Sequence, residues 1–246
     1  MKIIHALLVA TALCCASQAQ AEGGHWAYSG HGAPAKWGEL DEAFATCKLG
    51  QLQSPIDIHG AKVGDLPAIK FDYKPSPLKV IDNGHTIQVN YAPGSTIEVN
   101  GARYELQQFH FHKPSEEKIN GKAHAMVAHL VHKGADGKLA VVAVLLDKGG
   151  ANPTINTIWK NLPKEKEKEA SVDATVDAAA LLPANKGYYT FEGSLTTPPC
   201  SEGVRWFVLK TPVKITESEI VAFGKLYPMN ARPTQPLHGR PISATR

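Results

Sequence analysis

Residues 107–132 read QQFHFHKPSEEKINGKAHAMVAHLVH, and the alternation in this stretch decides the fold. His110 and His112 stand two apart. In a strand, where side chains alternate between faces, both imidazoles point to one side and Phe109 and Phe111 to the other. One face is polar and the other belongs to a core. Pro114, Asn120 and Gly121 mark a break, after which residues 123–131 form a second apolar run that puts Val127, His129 and Val131 on one face. An HxH pair alone is often two satisfied histidines. A third histidine on a strand brought alongside by a short turn shifts the reading to a metal. Three neutral imidazoles with a fourth position open to water are a typical protein set for catalytic zinc, Zn2+. His132, at odd spacing from His129, faces the other way and is expected as a hydrogen-bonded core histidine. His124 shares its parity and is given no role.

Outward from this stretch the chain reads as mainly β (α+β), a single domain around a large twisted, mostly antiparallel sheet with short peripheral helices. Strand-like segments fall at 69–73, 78–82, 85–91, 96–99 and 102–112, with Asn100-Gly101 as a tight hairpin signal between the last two. Residues 139–147 are continuously apolar and read as a central buried strand. A short helical piece is expected near 39–47. Asn152-Pro153 caps a helix to about Asn161, and Thr216 with Glu219 forms a capping box before IVAFGKLY. The run KEKEKE at 164–169 reads as a solvated face.

The 246 residues, 43% of them hydrophobic, are enough for one large domain with a substantial core. A formal charge of +3 is too small and dispersed for a nucleic-acid partner or a polybasic membrane surface. Residues 1–21 read as a signal peptide: Lys2, an apolar run to about Ala16, and Ala19-Gln20-Ala21 as a small-x-small cleavage site. The run is too short to span a bilayer. Cys14 and Cys15 are not preceded by the small residue that lipid attachment favours. Cleavage leaves residues 22–246 with Cys47 and Cys200, which in an exported chain most simply pair, the alternative being two buried thiols.

Two further stretches carry chemistry. GSLTTPPC at 193–200 sets Thr196 and Thr197 before two prolines that stiffen the backbone, and Asn83-Gly84-His85 puts an imidazole at the start of a strand beside a turn. A threonine hydroxyl orients a metal-held hydroxide if its own proton is committed to a carboxylate. Thr196 and Glu116 are candidates for that pair, although a lone Glu116 more often lies at a surface.

With these pieces in hand, the chain resembles an alpha-class carbonic anhydrase. The matching pieces are QFHFH at 108–112, PSE at 114–116, AHLVH at 128–132, NGH at 83–85 and GSLTTPP at 193–199. QSPIDI at 53–58, HWAY at 25–28 and NARPTQPL at 230–237 extend the likeness over nearly the whole exported chain. The PSE and INGK wording is closest to the exported bacterial branch.

The resemblance implies a zinc enzyme that interconverts carbon dioxide and bicarbonate, with zinc at the base of a cone-shaped cleft held by His110, His112 and His129. Zinc-held hydroxide attacks carbon dioxide and water displaces bicarbonate. Thr196 is the gatekeeping hydroxyl with Glu116 as its acceptor. Val131, Val141, Leu195 and Trp206 form the apolar wall for carbon dioxide, and Thr197 lines the bicarbonate side. His85 carries the proton to bulk solvent, suited by its near-neutral pKa, along water ordered by Tyr28, Asn83 and Gln88. The resemblance also implies a Cys47–Cys200 disulfide, anion and sulfonamide inhibitors at zinc, a monomer or homodimer, and a periplasmic or secreted location.

The chain departs from the family pattern at a few positions. Two residues before the third ligand the family usually has a glutamate that bonds the ligand's outer ring nitrogen, and here stands Val127, on the metal side by parity. Loss of such support costs on the order of 10- to 100-fold in metal affinity or activity. The expectation is faster zinc loss unless another acceptor fills in. Glu117 stands where the family commonly has histidine, Phe191 where it has tyrosine, and Gln88 where it often has asparagine. A cupin-type metal enzyme is the rival reading of HFHKPSE, with Glu116 as a ligand. It lacks the glycine framing and leaves the Thr-Thr-Pro-Pro loop unexplained. A catalytically silent relative would typically have lost a ligand histidine, and all three are present.

Overall fold

The apolar run expected as a central strand is Leu139–Lys148, and its surroundings explain why it shows no alternation. In the computed structural model, which describes residues 24–246, Ala140, Val142, Val144 and Leu146 enter a large core on one face. Val141, Ala143 and Leu145 enter a smaller core on the other. A strand covered on both sides must be apolar on both. The expected signal segment, 1–21, lies outside the described residues.

This strand sits inside a twelve-stranded sheet. From one edge the path runs Glu169–Val176, Ser76–Asp82, Ile87–Asn90, Ala102–His112, Met126–Gly134, Leu139–Lys148, Glu202–Ile215, Tyr188–Ser194, Ser243–Thr245 and Lys62–Gly64. Thr96–Val99 also pairs with the Ala102–His112 strand and carries Lys70–Asp72 beyond it. Most pairings are antiparallel. Leu139–Lys148 with Glu202–Ile215, and Ser243–Thr245 with Lys62–Gly64, are parallel, so the sheet is mixed. The hairpin expected at Asn100-Gly101 forms, with φ of 50° and 78°. A turn with positive φ at both central residues has the twist that neighbouring strands need.

The helices are short and peripheral. Pro153–Lys160 starts at the Asn152 side chain, which accepts from the backbone N–H groups of Thr154 and Ile155. Glu217–Leu226 starts at the expected Thr216–Glu219 capping box. The stretch 39–47 is not one helix. It splits into short turns, Trp37–Leu40, Glu42–Phe44 and Thr46–Leu49, because Asp41 takes an extended conformation and caps a new turn through Ala43 N–H. The charged run 164–169 is solvent-exposed, but Glu169 already opens an edge strand. Among the described residues no helix is long and apolar enough to cross a membrane.

Candidate metal centre

The two histidine-bearing strands lie side by side. Met126–Gly134 pairs antiparallel with Ala102–His112, putting His129 opposite His110 and Val127 opposite His112. Phe109, Phe111, Ala128 and Leu130 fill the large core, as their parity requires. The opposite parity gathers His110, His112 and His129, whose ligand nitrogens lie within 4.8 Å of one another. His112 and His129 are 1% exposed, and His110 keeps more contact with solvent.

Each ring is held from behind. His110 Nδ1 lies 2.8 Å from the Gln108 carboxamide oxygen. His112 Nδ1 lies 2.8 Å from the Asn230 carbonyl. His129 Nε2 lies 3.0 and 3.2 Å from the two oxygens of Glu117. A carbonyl or a carboxylate can only accept, so each outer nitrogen is a donor, and in the neutral ring each inner nitrogen presents a lone pair. His112 Nε2 is buried and makes no hydrogen bond among the described residues, with only the Glu116 carboxylate near it, which is costly for a polar atom unless something binds it. Burial and the neighbouring His129 ring hold both His110 and His112 well below the usual imidazole range. Three converging ring nitrogens with braced outer faces fit a zinc ion, which takes the place of any proton on them.

This bracing meets the condition attached to the expectation drawn from Val127. Val127 does lie on the metal side, within the smaller core beside Val141 and Trp206. The outer nitrogen that a glutamate at that position would meet is met here by Glu117, the other acceptor for which that expectation allowed.

Glu116 lies beside the rings, with Oε2 3.4 Å from His112 Nε2 and 3.8 Å from His129 Nδ1. Its Oε1 accepts from the Arg232 backbone N–H at 2.7 Å. Burial, helped by the neighbouring Glu117 charge, raises its carboxyl to about 7, opposed by His129, by the Thr196 hydroxyl and by the Arg232 N–H. A cation among the rings would favour the ionised form further.

The apolar residues singled out from the sequence come together. Val141 and Trp206 belong to the smaller core, Val131 and Leu195 pack against it, and the Trp206 ring lies 4.9 Å from that of His129. Phe191 stacks parallel to Trp206 at 6.2 Å. Gly193 leaves room for the Trp206 ring beside Ser54, since a Cβ there would fall 2.3 Å from Ser54 Oγ and 2.8 Å from Trp206 Cδ1.

The Thr196 loop is fastened at both ends. Ser54 and Ser194 exchange hydrogen bonds at 2.8 and 3.1 Å, and Cys200 is bonded to Cys47 in the expected disulfide. Thr197 is half-buried and accepts the Cys200 N–H at 2.9 Å through its carbonyl. His85 stacks flat on Trp26, centroids 3.7 Å apart, and burial with the nearby His25 lowers its pKa. Asn83 donates to Gln88 at 3.4 Å.

The model of the eukaryotic-type carbonic anhydrase family matches residues 32–246. The chain belongs to this family. A carbonic anhydrase of Pectobacterium carotovorum is 43% identical over 229 residues, covering 93% of this chain and 94% of that protein. A hyperthermostable carbonic anhydrase from an active hydrothermal vent chimney superposes with a TM-score of 0.88 at 45% identity, covering 90% of this chain and all of that one. The alpha-carbonic anhydrase of Thermovibrio ammonificans, solved with the inhibitor sulfanilamide, gives 0.87 at 40%, covering 91% and 100%. As a carbonic anhydrase the chain is a lyase of the carbon dioxide and bicarbonate interconversion, in a family that uses zinc, and its three-histidine cluster suits that metal.

Besides Glu117, three contributors to this carbonic anhydrase site carried no assigned role in the sequence. Gln108 was readable, since two residues before His110 puts it on the same face. Asn230 and Arg232 come from more than a hundred residues away, and only their place in NARPTQPL hinted at them.

Proposed function

We propose that the chain hydrates carbon dioxide reversibly at a zinc ion held by His110, His112 and His129. The observation that carries this is the set of three inward ring nitrogens, each ring fixed by a different outer acceptor. Bound there, zinc supplies a Lewis acid that makes water nucleophilic near neutral pH, the chemistry for which carbonic anhydrase is itself the standard example.

The residues around the cluster divide the remaining work. Val131, Val141, Leu195 and Trp206 offer carbon dioxide an apolar surface beside the rings and exclude competing water. Thr196 turns its hydroxyl hydrogen toward Glu116 as a donor, so the hydroxyl oxygen is left as an acceptor that selects a protonated atom at the reacting position. Thr197 lines the product side. His85 takes the released proton outward, with Tyr28, Asn83 and Gln88 ordering the route and Trp26 holding the imidazole in place. The sulfanilamide complex of the Thermovibrio relative supports sulfonamides as inhibitors here, and anions are expected at the same metal position. The disulfide supports an exported domain, 22–246, behind a cleaved signal at 1–21, in the periplasm or secreted.

A carbon dioxide hydration assay on zinc-loaded protein, with His129→Ala beside it, tests the proposal. The variant should lose more than the roughly 100-fold that an outer partner is worth. Equal rates in the two proteins, or wild type that takes up no stoichiometric zinc, would overturn it.

A further inference from the structure

We propose that Glu117 is the residue that positions His129 for zinc, replacing from another segment the carboxylate that the His129 strand itself lacks. The inference rests on the zinc reading above and concerns how this chain keeps the ion.

Glu116 and Glu117 are neighbours, yet both address the same imidazole from opposite sides. Glu117 meets the outer Nε2 at 3.0 Å, while Glu116 Oε2 lies 3.8 Å from the inner Nδ1. In a regular strand adjacent side chains point apart. Here the chain bends after Pro114, and Ser115 holds the bend: its hydroxyl donates to the Glu117 carbonyl at 2.7 Å and accepts the His124 N–H at 2.9 Å. Both carboxylates are thereby turned onto His129.

Packing alone does not account for Glu117. Its side chain is fully buried, and among the described residues its carboxylate meets no lysine, arginine or other donor than His129 Nε2. A buried carboxylate with so little compensation is expensive, and an apolar side chain would fill the space without that cost. The arrangement becomes favourable when a divalent cation sits on the other side of the ring. The carboxylate then fixes the Nε2–H tautomer, aims the Nδ1 lone pair and increases the basicity of the ligand.

The experiment is zinc release into excess chelator from wild type, Glu117→Gln and Glu117→Ala, with melting temperatures of the zinc-loaded and metal-free forms of each. Glu117→Ala should release zinc about 10- to 100-fold faster. Glu117→Gln, isosteric and still able to accept from Nε2–H, should fall between. In both, the rise in melting temperature that zinc confers should shrink. Release at the wild-type rate, or an equal fall in the melting of loaded and metal-free protein, assigns Glu117 a merely structural role and overturns the inference. Should wild type itself bind no zinc, the proposed function fails with it. Tight zinc in wild type with unaltered release from both variants sinks this inference alone.

Discussion

His129 and His132 lie three residues apart on one strand, both essentially buried, and they have opposite electrostatic fates. On the metal face, burial pushes His129 toward the neutral form, but Glu117 and Glu116 outweigh it and raise its pKa. On the core face, His132 shares a 2.8 Å hydrogen bond with the Tyr73 hydroxyl and stacks on that ring. No carboxylate opposes burial there, and its pKa falls to about 3. Burial alone makes an imidazole a neutral structural group. The same burial with two carboxylates makes it a cation-seeking one.

The sharpest way to break this contrast is to overload the metal face. Val127 is fully buried and on the side of His129, where a family glutamate would stand. With Glu117 already on Nε2, Val127→Glu adds a second buried acid beside the first. We expect it to destabilise the metal-free protein by about 3 kcal/mol or more without slowing zinc release. Placed in a Glu117→Ala background, the same substitution should restore slow release. Denaturant unfolding and chelator kinetics check both. If Val127→Glu slows release in the otherwise native protein at no cost in stability, Glu117 is not filling that role.

The same pair of faces shows what the residues could tell a reader in advance. Period-two alternation put His110, His112, His129 and Val127 on one side and Phe109, Phe111 and His132 on the other, because strand geometry is local. The Asn100-Gly101 turn, the double-faced strand at 139–148 and both helix caps were legible for the same reason. The Glu202–Ile215 strand was not, since its pattern of buried and half-buried positions follows from neighbours on both sides rather than from a clean alternation. Nor was Glu117. Its usefulness depends on the bend held by Ser115, and strand parity applied across that bend would have separated it from Glu116. The carbonyl of Asn230 and the N–H of Arg232 reach the site across 118 and 116 residues, a distance over which no local pattern speaks.

The core face makes a smaller prediction with a definite sign. An unfolded histidine titrates near 6.5 and His132 in the fold near 3, so between these values the unfolded chain holds one more proton than the native one. Stability contributed by the neutral imidazole is therefore present above about pH 6.5 and is lost on acidification, at about 1.4 kcal/mol per pH unit, until the fold itself takes up the proton near pH 3. His132→Gln keeps an acceptor for the Tyr73 hydroxyl and removes the titration. His110 and His112, also depressed, remain in both proteins and cancel in the difference. Urea unfolding of the metal-free forms from pH 7 to 4 should show the variant less stable at pH 7, through lost packing, but falling less steeply, the two curves converging as pH drops. Parallel curves would mean that His132 is protonated in the native state, and the contrast between the two faces would then rest on something other than the carboxylates.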